Sequence, residues 1–197
     1  MSNMLDMIGS VLLFGVLVLT IGRVQTGLNT AMYANSFTQI TQRNAVQLAH
    51  QIEHDFAKIG FHVSDPAERI KAADSLSIKF KADLMNNGSV DQIEYRIGTK
   101  EEAAATMNVA DFPLYRKDSN GEIMQLWGTT RFNLKYYNID YNQFPSPVPS
   151  DSLPRIYAVW VTFVMEGREP AGSAIDTTYY SITWQKLIYP RNMGLSY

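Results

Sequence analysis

The chain has no cysteine, which removes disulfides, iron–sulfur clusters and thiolate zinc sites. It has no proline before Pro66, so no residue in that stretch forces a helix to break. Neither charge is in excess: 17 Lys and Arg stand against 19 Asp and Glu, a formal net charge of -2, and no local basic patch offers a footing for nucleic acid. A G-x-S-x-G elbow, a glycine-rich phosphate loop and a cysteine nucleophile are also missing, and with them the familiar acyl-transfer and nucleotide-binding signatures. No internal repeat or long low-complexity tract is present.

What the chain does have is a long apolar run at its start, MLDMIGSVLLFGVLVLTI over 4–21, broken by one acid, Asp6. A helix of that length crosses most of a hydrocarbon core of roughly 30 Å, and a transmembrane or filament-core helix is the expectation. A cleaved signal peptide fits less well, because no Lys or Arg precedes the run and no small-x-small site follows it. A buried helix of a soluble protein is the blander alternative, set against it by the lack of a polar face. A carboxylate inside such a run costs a few kcal/mol near a bilayer centre unless paired or neutralised. Asp6 therefore either takes a cationic partner, such as an α-amino terminus, or lies at headgroup level as a favourable N-terminal helix charge. Gly9, Gly15, Gly22 and Gly27 recur through the same helix as packing notches or points of local unwinding.

At 197 residues the chain has room for one domain, or for one domain with an extended appendage. Apolar residues keep a helical beat beyond Arg23: Val24, Leu28, Met32, Phe37 and Ile40, then Ala45, Leu48, Ile52, Phe56 and Ile59. One helix is expected from about residue 4 to 59, its second half packing on a globular head through Leu48, Ile52, Phe56 and Ile59. Gly60 offers the stop. Thereafter the period changes, and strands are expected at 76–82, 90–97, 113–117, 122–128, 130–139, 155–165 and 178–189. The turn signals NNG (86–88), DSNG (118–121) and FPSPVPSDSLP (144–154) separate them. KEEAAATM, 100–107, suggests a short helix. Aromatics make up 12% of the residues and crowd the second half, as half-buried strands do. Neighbouring strands joined by short turns make an antiparallel sheet the economical topology. The fold class is thus α+β, a long N-terminal helix on an antiparallel sheet head, with segments at 1–23 (anchor or filament core), 24–60 (amphipathic continuation) and 61–197 (β-rich head).

HQIEHDF, 50–56, contains H-x-x-E-H, a spacing used by one class of zinc hydrolase. His50 and His54 share a helix face, and Glu53 could act as general base to a metal-bound water. On the helical wheel, however, both histidines point away from the apolar stripe. A catalytic zinc also needs a third ligand and a dry pocket; Glu94 or Glu102 could be recruited, but nothing singles one out. His50 and His54 are kept as weak metal candidates, with solvated side chains the expectation and no cofactor implied. DSNGE, 118–122, carries oxygen ligands without the spacing of a calcium loop, and a β-turn is expected there.

Four stretches resemble the type IV pilin superfamily, particularly its larger minor pilins and the J-type pseudopilins of type II secretion. MLDMIGSVLL looks like the mature N-terminus of that family, with Asp6 where its signature glutamate stands. QLAHQIEHDFAKIGFHV is similar to an L-x-x-x-I-x-x-D-[FIL] helix, DSLSIKFKADLMNNGSVDQIEYRI to the first hairpin, and YSITWQKLIYPRNM to the closing strand with a terminal R-N pair. The likeness extends over essentially the whole chain. Two features depart from it: Asp replaces Glu, shortening the acid by one methylene, and the family's basic leader ending in glycine is not in the sequence, so either it has been removed or export follows another route. Loss of Met1 would make Asp6 the fifth residue, the family register.

The resemblance implies assembly rather than catalysis. Apolar helices bundle into a filament core through Met4, Leu5, Leu12, Leu13, Phe14, Leu17 and Leu19, and Asp6 pairs with the α-amino group of an adjacent subunit. It implies as partners other copies of the chain or related pilins, an inner-membrane assembly platform with its ATPase, and the lipid bilayer before assembly. The location it implies is the bacterial inner membrane, then a periplasmic or extracellular filament. The competing expectation is a single-pass membrane protein whose β-rich head binds a ligand or partner and never polymerises.

Overall fold

A computed structural model describes residues 2–106, 108–167 and 179–193. Its first element is a single helix, α1, Ser2–Ala57. The chain divides into two compact units, Met1–Gln39 and Ile40–Tyr197.

Helix α1 stops two residues before the expected end. After Ala57 the chain tightens into bonds from Lys58 N to Asp55 O and from Ile59 N to Phe56 O. Gly60 then takes a φ of +78°, a conformation that favours glycine, and its N–H donates to Lys81 O across the head. A β-carbon at Gly60 would also meet Arg69 Cδ at 2.8 Å. The short helix α2, Pro66–Arg69, follows, capped by the Asp65 side chain accepting from Ala67 N at 2.9 Å, with proline at the start where a missing N–H costs nothing.

Seven strands follow: β1 Ile70–Ala73, β2 Ser77–Ala82, β3 Asp91–Ile97, β4 Phe112–Asp118, β5 Gly121–Tyr137, β6 Ala158–Glu166 and β7 Ser181–Ile188. They form one sheet in sequence order, every neighbouring pair antiparallel. The α+β architecture and the antiparallel topology are as the sequence led us to expect. Differences lie in the details. Strand β1 and helix α2 were not anticipated. The two strands expected at 122–128 and 130–139 are one, because Gly128, at φ +85°, makes a bulge rather than a turn. Residues 121–129 pair with β4, the register slipping between Gln125 and Thr129 where Gly128 lies, and residues 129–137 pair with β6, with a second shift between Thr129 and Arg131. A side chain at 128 could not fit, since a β-carbon there would lie 2.2 Å from Glu166 O. Strand β6 starts three residues late because Leu153–Arg155, with Pro154 inside, forms a 3-10 turn. The helix expected at 100–107 is one 3-10 turn, Glu101–Ala103; Met107 and Thr178, which the expected helix and last strand include, lie outside the described residues.

The head core forms where residues of α1 from Ala45 onward meet the sheet. Leu48, Ile52, Phe56 and Ile59 are fully buried, with Ile78, Phe80, Ile93 and Tyr95 in the same cluster. Phe56 meets Phe80 and Tyr95 edge to face, at centroid distances of 5.8 and 5.5 Å, the arrangement that the ring quadrupoles favour.

Candidate functional site

The side chains in the N-terminal unit that carry the expected assembly role are all exposed. Met4, Leu5, Leu12, Leu13, Phe14, Leu17 and Leu19 face outward, Phe14 at 69% and Leu17 at 55% exposure. The helix is long and apolar enough to cross a membrane. Asp6 sits beyond the first helical turn, which holds no acid, so its charge is less favourably placed for the N-terminal end of the helix dipole than a first-turn acid would be. Among the described residues its carboxylate has no hydrogen-bond or ion-pair partner. Arg23, the next charge along, is 17 residues on, about 26 Å along a helix. Gly9, Gly15, Gly22 and Gly27 leave open space: a β-carbon at any of them would meet nothing within 4 Å.

Two features of this unit escaped sequence reasoning. The first is that its serine and threonine hydroxyls, among the described side chains, are satisfied within the helix. Ser10, Thr20, Thr26, Thr30, Ser36 and Thr38 each donate to the carbonyl four residues earlier, at 2.8–3.0 Å. That pattern removes the need for water and suits an apolar setting. The second is charge. Residues 24–39 contain no Asp, Glu, Lys or Arg, although Val24, Leu28 and Met32 are all more than half exposed. The signal is present in the sequence as a charge-free stretch between Arg23 and Arg43. The beat also breaks here: its members from Ala45 onward are buried and those before Phe37 are not.

In the head, a buried ionic cluster seats the helix on the sheet. Asp55, 3% exposed, accepts from Tyr95 Oη at 2.6 Å and from Arg116 Nε at 2.8 Å, and faces His54 Nδ1 at 3.1 Å. Arg116 extends the cluster to Asp118 Oδ2 at 2.5 Å. Burial opposes the Arg116 charge, but its bonds to Asp55 and Asp118 push its pKa above the usual range. Burial likewise opposes the Asp118 charge, yet Arg116 and the Asn120 N–H hold its pKa below normal. Burial and the Asp55 charge push the Tyr95 phenol well above the ordinary tyrosine range. Asp118 also closes the β4–β5 hairpin opposite Gly121, so the DSNG signal is a turn and its acid is committed to Arg116.

His50 and His54 are exposed, as the wheel indicated. Glu53 pairs with Lys186 on β7 at 2.9 Å. Glu94 pairs with Lys79 at 3.3 Å, and Glu102 accepts from the Thr99 N–H. Among the described residues no group of three His, Asp or Glu side chains is placed to hold a metal.

An apolar N-terminal helix joined to an antiparallel sheet head defines an α+β class compatible with a pilin-like fold. No protein-family model matches the chain, and no curated protein matches it in sequence.

Proposed function

We propose that this chain is a structural subunit of a type IV pilus-like or type II secretion pseudopilus filament, held in the inner membrane before assembly and polymerising through its N-terminal helix. The observation that carries this reading is the mismatch between the exposed helix and a bilayer. Residues 2–39 of α1 span about 57 Å, nearly twice a hydrocarbon core of roughly 30 Å. Beyond Arg23 the surface stays uncharged and its apolar side chains stay exposed. A plain anchor needs about 20 apolar residues and ordinarily returns to a charged surface once it leaves lipid; a helix that packs against its own kind along its length needs the longer uncharged face. The internally satisfied hydroxyls and the open glycine notches support the same role.

In the assembled state Asp6 pairs with the α-amino group of a neighbouring copy, which removes the cost of a lone carboxylate in an apolar core. The partners are copies of this chain or related pilins, together with an inner-membrane platform and ATPase that drive polymerisation. The test is electron microscopy of sheared surface material from cells producing the wild-type and Asp6→Ala chains. Regular filaments containing the wild-type chain, lost or irregular in Asp6→Ala while the head keeps its near-UV circular dichroism, are expected. A wild-type chain that stays in the membrane fraction as a monomer and forms no filament would establish the non-polymerising receptor instead.

A further inference from the structure

The head has a second feature that the filament reading does not use. An open cavity of about 660 Å³ lies where the chain leaves α1, bordered by Gly60, His62, Arg69, Gly88 and Arg191. Among the described residues, neither Arg69 nor Arg191 has an acid within ion-pairing distance, whereas Lys71 and Lys81 share Glu68, and Arg96, Arg116 and Lys186 each have an acid. The Arg69 Nε is buried and has no acceptor, an expensive state for a charged donor.

The Arg69 stem is packed from behind, and Arg191 is anchored through its backbone. The Arg69 stem lies in the space that a side chain at position 60 would fill, within 2.8–3.4 Å of a β-carbon there, and the next residue, Ile70, is in the core. Arg191 is tied by its backbone N–H to Ala57 O at 3.2 Å, and Met193 after it is buried. The nearby acids are already committed. Asp83 is buried and accepts from His62 Nδ1 and from the backbone N–H groups of Asn87 and Gly88, at 2.8–3.1 Å. Asp65 caps α2. One cavity is thus bordered by two arginines that have no acid partner among the described residues.

We propose that this cavity binds a phosphate group, gripped between the Arg69 and Arg191 guanidiniums. Two forked cations match a dianion in charge and can hold its oxygens in pairs, which a single carboxylate would leave half neutralised. The group could arrive as free inorganic phosphate or as a phosphomonoester, and the two sources are separable.

The full chain in zwitterionic micelles is titrated at constant ionic strength with inorganic phosphate, with glycerol phosphate and with acetate, following the amide signals of Gly60 and Gly88 by NMR. Saturable shifts with either phosphate and none with acetate are expected. Equal responses to both identify free phosphate as sufficient, and a response to glycerol phosphate alone identifies the ester. Arg69→Gln and Arg191→Gln should each weaken binding on the order of tenfold, with circular dichroism unchanged. Arg191, on the surface, is the safer variant should Arg69→Gln disturb the turn. The rival role for the pair is to offset the negative end of α1. It predicts lower stability in both variants and no saturable response to phosphate in any chain, and that result would overturn the proposal.

Discussion

Helix α1 contains two regions that obey opposite rules. From Ala45 to Ala57 the apolar residues at helical spacing are covered by the sheet, and the one acid that faces the same way, Asp55, is met by a tyrosine and an arginine. From Asn3 to Met32 the apolar side chains lie open, and the one acid among them, Asp6, has no partner among the described residues. The same chemistry is therefore completed within the chain in one region and left incomplete in the other. A helix finished by its own sheet is a structural seat; one left unfinished, with its serine and threonine hydroxyls turned inward, is compatible with an apolar setting such as a membrane.

The sharpest way to break this contrast is to delete a large side chain from each region. Phe56→Ala empties a fully buried site between Phe80 and Tyr95 and should lower head stability by about 3–5 kcal/mol. Leu17→Ala should leave denaturant unfolding of the head within about 0.5 kcal/mol of wild type. Both are read from the same urea curves in micelles. Comparable losses in the two variants would show that the N-terminal unit is finished from within after all.

A somewhat smaller effect tests the acid of the seat. Asp55→Asn leaves the 12%-exposed Arg116 side chain with Asp118 alone and should cost about 3 kcal/mol, since removing one partner strands a buried charge. Tyr95 and Arg116 reach this carboxylate from β3 and β4, so pairing of those strands with the helix should loosen together. Hydrogen exchange at β3 and β4 amides rising in step would check it; exchange confined to α1 would show that the cluster is not a joint between them.

Those bonds also set a pH window. Asp118 has a pKa below its usual 3.8, so its contribution is present above about pH 4 and fades as pH falls through the lower folded value. Tyr95 and Tyr136 are held well above 10, chiefly by burial. For them the folded state keeps a proton that the unfolded state loses, so stability is full below about pH 10 and declines above it. Thermal unfolding followed from neutral to alkaline pH should show that decline, and Tyr95→Phe should flatten it. An unaltered slope in Tyr95→Phe would assign the alkaline loss to the other tyrosines.

Much of this fold is legible from local pattern. The apolar run, the Leu48–Ile52–Phe56–Ile59 stripe and most strands follow from periodicity, because burial on one face imposes it. The failures come from places where one residue carries a non-local role. Gly128 falls between two expected strands, but it lies in a bulge against β4 and close to Glu166 O on β6, so the strand runs on through it. Strand β1 is only IKAA, too short and too weakly β-forming to declare itself. Asp55 lies seven residues from Leu48 and three from Ile52, on the apolar stripe itself. An acid there signals a buried partner, yet Arg116 is 61 residues away and no local rule names it. The cavity beside Gly60 gave no local signal, since Arg69 and Arg191, far apart in sequence, border it only through the fold.

The smallest change compares one glycine from each region. Gly60→Ala meets both a φ of +78° and the Arg69 stem, so the isolated chain should lose stability. Gly15→Ala meets nothing within 4 Å and adds roughly 1 kcal/mol of helix propensity, so the free subunit should keep its head stability and its helicity. Any loss must then come from another molecule that approaches the bare backbone at Gly15. We expect a severalfold drop in sheared filament yield from Gly15→Ala, quantified by immunoblot against an unchanged membrane pool. Full yield would show that Gly15 is not a contact, and registration of the helices would then fall to Asp6 and the remaining glycines. A drop in yield with an unperturbed monomer is the result that only an intermolecular notch explains, and it would mark where a neighbouring chain completes this half of the helix.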